Sequence, residues 1–311
     1  MTAESTRRPV RCRRSIGYPR QMDHRPRVLV TGSSGRVGSA IARRLATAYE
    51  VAGVDVLPGA FTSIVGSIED PDMLARALRG SDAVVHTAAL HAPQVHLVPA
   101  ARFVAVNVDA TRSLLEMALT SGVRRFVYTS STSVYGHSLV PQDEARWVTE
   151  ELVPLPRDVY DETKLAAESL VREAAAEGTM ACTILRMSRS FPEPEYLVAT
   201  YRLYRGVDLR DVAEAHALAL ATGPAGCETF NISARSPFRP ADCRALLTEP
   251  WRVVTRYFPE AAEAYRRRGW PPPEEIDRVY VTTKAEAVLG YSPRFNFAEL
   301  LATLGRQESG S

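Results

Sequence analysis

Two residues that could transfer a proton together stand four positions apart, Tyr160 and Lys164. The chain has 38 Lys and Arg residues, yet only Lys164 and Lys284 are lysines. Residues four apart on a helix share a face, so the phenol and the ammonium would be neighbours. A free phenol has a pKa of about 10 and a nearby cation favours its ionised form, which predicts proton transfer near neutral pH. The alternative interpretation is a solvated helix face.

Composition and charge exclude several classes of protein. With 311 residues, 45% hydrophobic and 24% charged, the chain is typical of a soluble globular protein. It contains no run of about 20 apolar residues, so no membrane partner is predicted. Residues 1–21 hold six arginines and one glutamate, whereas the whole chain has a net charge of +2. The remainder is therefore net negative, and no nucleic-acid partner is predicted.

The first residues and the cysteines suggest a cytoplasmic protein. Residues 1–26 are basic and lack the apolar stretch of a secretory signal, so we expect a disordered arm or a true start at Met22. The spacing of His86, His91 and His96 fits no common metal motif. We expect free thiols and no metal site, because no C-x-x-C pair occurs among the four cysteines, Cys12, Cys182, Cys227 and Cys243.

A glycine-rich turn stands between a predicted strand, residues 27–31, and a predicted helix, residues 37–46. Its glycines are Gly32, Gly35 and Gly38. Such glycines allow a tight turn and a close approach of the backbone to a pyrophosphate, whose charge lies at the helix N-terminus. A dinucleotide site is predicted, with a plain turn as the alternative.

An acidic residue at the end of the next predicted strand, residues 51–55, bears on the choice of cofactor. Asp55 can hydrogen-bond both ribose hydroxyls and would repel a 2′-phosphate, which favours NAD over NADP. Arg36, within the glycine-rich turn, is the observation that favours NADP instead.

Strands and helices alternate along the following residues. We predict strands at 61–65, 83–86 and 125–129, and helices at 70–78 and 99–120. This alternation is typical of an α/β protein whose parallel sheet has helices on both faces. The hydroxyl residues at 130–133 follow a strand at its carboxyl end, where open α/β sheets bind ligands.

Four motifs stand in the chain in this order: Thr31-Gly32-x-x-Gly35-x-x-Gly38, Asp55, Ser130-Ser131-x-x-Val134-Tyr135-Gly136 and Tyr160-x-x-x-Lys164-Leu165-x-x-Glu168. Together they resemble the extended short-chain dehydrogenase/reductase family, which includes NAD-dependent sugar epimerases and dehydratases. The resemblance covers about residues 27–300. It implies a Rossmann-type doubly wound parallel sheet with a small C-terminal substrate-binding region.

The resemblance also implies roles for individual residues. Tyr160 is the expected general acid/base, Lys164 lowers its pKa and holds the nicotinamide ribose, and Ser131 positions the substrate. The remaining residues expected at the cofactor are Gly32, Ser34, Gly35, Arg36, Val37, Gly38, Asp55, Ser67, Ile68, Thr87, Ala88, Ala89 and Asn107. Many relatives have an aspartate where this chain has Ser67–Ile68. The residues expected at the substrate are His91, Ser131, Thr132, Arg189 and Arg278.

Two departures from the family pattern narrow the reaction. Dehydratases of this group have an Asp-Glu pair where this chain has Thr132 and Ser133, neither of which titrates near neutrality, so a dehydratase is not expected. The segment between Arg186 and Asp208 is short and resembles that of uronate dehydrogenases acting on free sugar acids. Arg189 could bind a carboxylate or a phosphate there, or be a surface arginine.

The resulting hypothesis is a cytoplasmic NAD-dependent epimerase of a sugar or nucleotide sugar. Residues 27–186 would form the NAD-binding domain. Residues 187–311 would form a mixed region that returns further elements to the Rossmann fold. Its substrate part would lie at about 187–206 and at 239–283, the latter irregular and basic. The alternatives are a dehydrogenase or ketoreductase on a free sugar, uronate or keto-sugar, and a cofactor-sensing protein without turnover. Relatives usually form homodimers through the helices at 99–120 and 158–177, so a homodimer is expected.

Overall fold

The computed structural model describes residues 25–309. Nine strands lie in this part of the chain: β1 (Arg27–Thr31), β2 (Glu50–Asp55), β3 (Ile64–Val65), β4 (Ala83–His86), β5 (Arg125–Ser131), β6 (Arg146–Val148), β7 (Ala181–Met187), β8 (Cys227–Ile232) and β9 (Arg278–Tyr280). Seven of them form one sheet in the order β3-β2-β1-β4-β5-β7-β8, and every pairing is parallel. This is the predicted Rossmann-type fold.

Twelve α-helices accompany the strands within the described residues: α1 (Arg36–Leu45), α2 (Pro71–Leu78), α3 (Ala100–Val104), α4 (Ala110–Thr120), α5 (Val159–Ala176), α6 (Glu195–Arg202), α7 (Leu209–Thr222), α8 (Cys243–Thr248), α9 (Pro250–Tyr257), α10 (Ala261–Arg268), α11 (Thr283–Leu289) and α12 (Phe297–Ser309). No helix of this part of the chain is both long and apolar enough to cross a membrane.

The sheet is buried on both faces. Helices α2, α4 and α5 cover one face and contribute Leu74, Leu114 and Val171 to its core. Helices α1, α7 and α11 cover the other, where Ile41 and Val212 pack. Because both faces are covered, the central strands β1 and β4 are largely apolar and buried runs rather than alternating ones.

A smaller region covers the carboxyl ends of the strands. Helices α6, α8, α9, α10 and α12 share a third apolar core, and β6 pairs with β9 in a separate two-stranded parallel sheet. The prediction that residues 239–283 are irregular is wrong, because this stretch contains three helices. Apolar residues such as Leu246, Val254 and Tyr265 are buried there and hold the short helices against one another.

Two predicted elements differ in the structure. Strand β3 comprises only Ile64 and Val65, because just two residue pairs join it to β2. The preceding turn instead lies over the glycine-rich turn, where the Thr62 hydroxyl is 2.7 Å from the Ser34 hydroxyl. The predicted helix at 99–120 is interrupted between α3 and α4 by a π-helical turn at residues 105–109.

Candidate active site

A cleft of about 900 Å³ lies at the carboxyl ends of the strands, beneath the small helical region. Its walls come from the glycine-rich turn, Asp55, the ends of β4 and β5, the start of α5, and residues 187–191, 205, 278 and 280. Open α/β sheets bind ligands at this position.

The start of α5 places Tyr160 and Lys164 at the cleft. Asp158 precedes the helix and its carboxylate accepts hydrogen bonds from the backbone N–H groups of Tyr160 and Asp161, at 2.9 and 3.0 Å. This N-cap fixes where the helix begins. Tyr160 and Lys164 are both buried and line the cleft.

Lys164 is held by the neighbouring strand. Its Nζ donates to the backbone carbonyl of Thr129 at 2.6 Å and lies 4.2 Å from the centre of the Tyr128 ring. Burial lowers the pKa of Lys164 from 10.5 to about 7, although the charge of Glu168 opposes this shift. The lysine therefore changes its charge near neutral pH.

The predicted lowering of the Tyr160 pKa is wrong for this structure. Burial raises the pKa of Tyr160 to about 12, and a hydrogen bond with Ser131 only partly opposes that shift. The physical reason is that the phenolate loses its water, and the negative charges of Asp161 and Asp158 raise the pKa further.

The hydroxyl residues at the end of β5 and just after it line the cleft beside the start of α5. The Ser131 hydroxyl, besides its bond with Tyr160, accepts a hydrogen bond from the Ser133 backbone at 3.1 Å. Thr132 is buried and also lines the cleft. The Ser133 hydroxyl is buried at the cleft with no hydrogen-bond partner among the described residues. Neither Thr132 nor Ser133 supplies a carboxylate.

A buried ion pair between Glu168 and Arg186 holds the elements that carry these hydroxyl residues and Tyr160. Glu168, on α5, accepts hydrogen bonds from the Ser130 hydroxyl at 2.7 Å and from Arg186 at 2.7 and 2.9 Å. Burial alone would raise the pKa of Glu168, but the bonds and charge of Arg186 outweigh it and lower the pKa. Strands β5 and β7 and helix α5 are therefore joined beside Ser131.

The glycine-rich turn has the shape that a dinucleotide needs. A Cβ at Gly38 would lie 2.0 Å from the Gly32 carbonyl oxygen, so only glycine lets α1 pack against this turn. Gly32 has a φ of 72°, which a residue with a side chain rarely adopts. The turn leads directly into α1, whose first turn carries no acidic residue to oppose a phosphate.

Asp55 stands where the ribose of such a cofactor would lie. Its carboxylate accepts hydrogen bonds from the backbone of Ser34 at 2.9 Å and Leu57 at 3.0 Å, which fix its position at the cleft. Val37 and Arg36 line the cleft beside it. The Arg36 guanidinium donates to the Ser190 carbonyl at 3.3 Å, so it reaches across to the other wall. These residues fit NAD.

Other predicted cofactor residues lie along the same wall. Ser67, Ile68 and the segment Thr87–Ala89 line the cleft. The Thr87 hydroxyl donates to the Thr31 carbonyl at 2.6 Å, which holds the end of β4 against the glycine-rich turn. The Ser67 hydroxyl donates to Glu69 at 3.2 Å.

Asn107 is buried in the π-helical turn and is absent from the cleft wall. Its amide accepts from the Leu90 backbone at 2.7 Å and donates to the Leu90 carbonyl at 3.1 Å and to the Thr163 hydroxyl at 3.2 Å. These protein contacts occupy the side chain. Asn107 thus fixes the segment after β4 against α5.

The histidines divide between core and cleft. His86 is buried, and its ring is hydrogen-bonded to Thr31 at 2.7 Å and to Thr111 at 2.9 Å. His91 faces the cleft, with its ring centre 6.5 Å from that of Tyr160. Although part of His91 is open to the cleft, surrounding protein atoms and then the charge of Lys164 lower its pKa to about 4.

The two arginines predicted to bind substrate line the cleft but already have acidic partners. Arg189 pairs with Glu193 at 2.8 Å, and Arg278 pairs with Asp277 at 2.9 Å. The sequence analysis missed Arg205, which lines the same cleft without an acidic partner among the described residues. Nothing in its spacing distinguishes it in an arginine-rich chain, so only the tertiary structure reveals it.

Comparison with known proteins agrees with the geometry. The model of the NAD dependent epimerase/dehydratase family matches residues 28–194, more than half of the chain. Over 187 residues the chain is 34% identical to a 3-beta-hydroxysteroid dehydrogenase of Mycolicibacterium neoaurum, covering 54% of this chain and 49% of that protein. Over 205 residues it is 32% identical to a UDP-glucose 4-epimerase of Streptomyces lividans, covering 62% and 57%.

A solved structure extends the likeness to nearly the whole described chain. It is a short-chain dehydrogenase/reductase superfamily protein from Agrobacterium tumefaciens with bound NAD, 27% identical, with a TM-score of 0.69. The alignment covers 91% of this chain and 98% of that one, whereas the curated relatives are matched over about half their length. The chain belongs to the NAD-dependent epimerase/dehydratase family.

Proposed function

We propose that this protein is an NAD-dependent epimerase that acts at a carbinol carbon of a sugar or nucleotide sugar. One observation carries the proposal: Tyr160, Lys164 and Ser131 meet at a cleft suited to NAD, and Thr132 and Ser133 supply no carboxylate for removing water.

The residues have separate tasks in this reaction. When bound, NAD supplies the chemistry of taking a hydride from the carbinol carbon and returning it. Ser131 holds the substrate oxygen, and Tyr160 takes the hydroxyl proton as that carbon becomes a carbonyl and gives it back on return. Lys164, whose pKa is about 7, supplies positive charge close to the phenol while its bond to Thr129 keeps it in place.

The second candidate is a dehydrogenase that releases NADH. The observation in its favour is the short segment between Arg186 and Asp208, within which Arg189 and Glu193 form an ion pair. The likeness to a 3-beta-hydroxysteroid dehydrogenase also supports this class. The same tyrosine, lysine and serine serve both reactions, so the fate of the hydride must be measured.

A substrate deuterated at the reacting carbon separates the two functions. With an epimerase, the deuterium stays in the sugar while the configuration changes, and no reduced cofactor accumulates. With a dehydrogenase, NADD appears in proportion to product. Mass spectrometry of the sugar and the cofactor measures both.

The variant Tyr160→Phe provides the control for that experiment. It removes only the hydroxyl that exchanges the proton, so we expect turnover to fall by about 10²- to 10⁴-fold. The affinity of Tyr160→Phe for NAD, measured by calorimetry, should stay within about twofold of that of the parent protein, which is on the order of experimental error. Undiminished turnover would exclude Tyr160 as the acid/base.

The homodimer and the cytoplasmic location belong to the same proposal. Helices α4 and α5 pack side by side on one face of the sheet, as the expected dimer surface requires. The cysteines among the described residues, Cys182, Cys227 and Cys243, are free thiols, which supports a reducing compartment. Light scattering of the purified chain tests the dimer.

A further inference from the structure

The cleft carries its arginines mainly on the side away from the glycine-rich turn, here called the substrate side and formed by residues 131–133, 157, 188–191, 205, 278 and 280. Three of these arginines are neutralised by an acid close in sequence. The pairs are Arg157 with Asp161, Arg189 with Glu193, and Arg278 with Asp277.

Arg205 is different. It forms no ion pair with any described residue, and its Nε is buried without a hydrogen-bond partner. Its guanidinium lies 4.2 Å from the centre of the Tyr201 ring, which holds the planar group in place without using its N–H donors. Buried donors are almost always satisfied in folded proteins, and the described residues supply no acceptor for this one.

Backbone contacts place Arg205 beside the other two arginines. The Arg189 N–H donates to the Arg205 carbonyl at 3.0 Å, and the Tyr280 N–H donates to the Tyr204 carbonyl at 3.0 Å. The pKa of Tyr204 is affected by Arg205, Asp277 and Arg278 together, so these three lie around one phenol. Their summed charge is a single positive charge.

We propose that Arg205 binds one carboxylate of the substrate, so that the substrate is a sugar acid rather than a neutral sugar or a nucleotide sugar. The inference rests on the proposed function and narrows its substrate class. A guanidinium binds a carboxylate through two parallel N–H···O bonds, and Arg205 lines the cleft with no acidic partner of its own to compete for them.

The charge balance favours a monoanion over a diphosphate. One carboxylate matches the charge of Arg205, which alone among the arginines of the substrate side has no acidic partner in the described residues. A diphosphate would bring two negative charges to a side on which the other three arginines are already paired with acids, so its second charge would lack a free arginine there. A neutral sugar could accept hydrogen bonds from Arg205 through its hydroxyls but would leave the charge of the guanidinium unpaired.

Binding to an inactive enzyme tests the proposal without depending on turnover. Calorimetry on Tyr160→Phe saturated with NAD compares D-glucuronate, D-galacturonate, D-glucose, glucose 6-phosphate and UDP-glucose. We expect a uronate to bind most tightly. Adding Arg205→Gln should weaken that binding by about tenfold or more, because a hydrogen bond to a charged group is lost.

Two further variants keep the result interpretable. Arg205→Lys retains the charge but loses the forked guanidinium, so its affinity for the uronate should lie between that of the parent and that of Arg205→Gln. Arg266→Gln removes the same charge from the exposed end of α10 and should leave the affinity for the uronate unchanged. The affinity for NAD reports whether each variant is folded. If Arg205→Gln no longer binds NAD, uronate binding is compared between the parent and Arg205→Lys instead.

The outcomes separate this inference from the proposed function. Tightest binding of glucose, glucose 6-phosphate or UDP-glucose, absence of uronate binding, or uronate binding that ignores both substitutions of Arg205 would overturn the inference. Deuterium retention with a neutral sugar would then still support the epimerase. Arg205-dependent uronate binding in an enzyme that turns over no deuterated sugar would support the inference and reject the proposed reaction.

Discussion

At the scale of single residues, burial shifts the two groups that exchange protons in ways that favour their neutral forms. It raises the pKa of Tyr160 to about 12 and lowers that of Lys164 to about 7. A phenol that is protonated at neutral pH suits donation to a carbonyl, whereas its use as a base requires help from positive charge nearby. Lys164, four residues later on the same helix, is the candidate for that charge.

This burial should cost stability. Lys164 has a lower pKa folded than unfolded, so the unfolded chain binds more protons between pH 7 and pH 10.5, and stability rises with pH across that window. Replacing it by Met should therefore raise the free energy of unfolding, by on the order of a few kcal/mol at about pH 6 and by much less at about pH 10. Turnover should be lost.

Urea denaturation of Lys164→Met at both pH values checks this prediction. The chain offers a matched control, since its other lysine, Lys284, is partly exposed and paired with Glu228 at 2.6 Å. Lys284→Met should give no gain in stability at either pH. A Lys164→Met protein less stable than the parent at about pH 6 would mean that the bond to Thr129 outweighs the loss of water.

At the scale of elements, α5 does more than present a tyrosine. Through Glu168 it contacts β5 at Ser130 and β7 at Arg186, so one carboxylate fixes the helix against two strands beside the reacting groups. The guanidinium of Arg186 also lies 4.8 Å from the Tyr135 ring centre, which extends the contact toward the helical region.

Breaking this ion pair should destabilise the fold. Glu168→Gln leaves Arg186 charged and buried, and we expect a loss of about 3–5 kcal/mol in the free energy of unfolding. Because the pKa of Glu168 is lowered in the folded state, this contribution is present above pH 4.5 and is lost as the pH falls through the folded pKa.

Urea titration of Glu168→Gln near neutral pH measures the loss. Arg186→Met in the same chain should recover part of it, since no uncompensated charge then remains. Glu263→Gln, which breaks exposed ion pairs with Arg266 and Arg267, should leave the midpoint unchanged. Equal effects of Glu168→Gln and Glu263→Gln would contradict the assignment.

At the scale of the whole molecule, the cleft depends on how the helical region joins the sheet. Asn231, on β8, is a main junction: its N–H donates to Glu150 at 2.7 Å, and its side chain bonds with the Tyr135 hydroxyl at 2.8 Å and the Val148 carbonyl at 3.2 Å. A ligand filling the cleft contacts both parts, so its binding should stabilise the whole chain.

Thermal unfolding should therefore distinguish the two cofactors. NAD at about 100 times its Kd should add about 2.7 kcal/mol to the free energy of unfolding. NADP at the same concentration should add less, because Asp55 repels a 2′-phosphate and so weakens its binding. Asp55→Asn should narrow the difference in stabilisation between NAD and NADP. A variant that keeps the full preference for NAD would show that Asp55 does not set it.

The sequence predicted the parallel sheet, the glycine-rich turn and the lining of the cleft by Tyr160, Lys164 and Ser131, because local patterns encode these features. It failed where the outcome depends on distant contacts. The length of β3, the helices within 239–283 and the pKa of Tyr160 all follow from what packs against them. Arg205 differs from the other arginines of the substrate side in lacking an acidic partner, which no local pattern reports.

The cleft arginines also bear on how such an enzyme can change its substrate. Arg157 and Arg189 each find their acid four residues later, and Arg278 finds its acid one residue earlier. Each pair is thus contained in one short segment and is independent of the sheet. Replacing one acid, such as Glu193, would add a positive charge to the cleft in a single step. The scaffold can therefore explore substrates of different charge by single mutations that leave its core untouched.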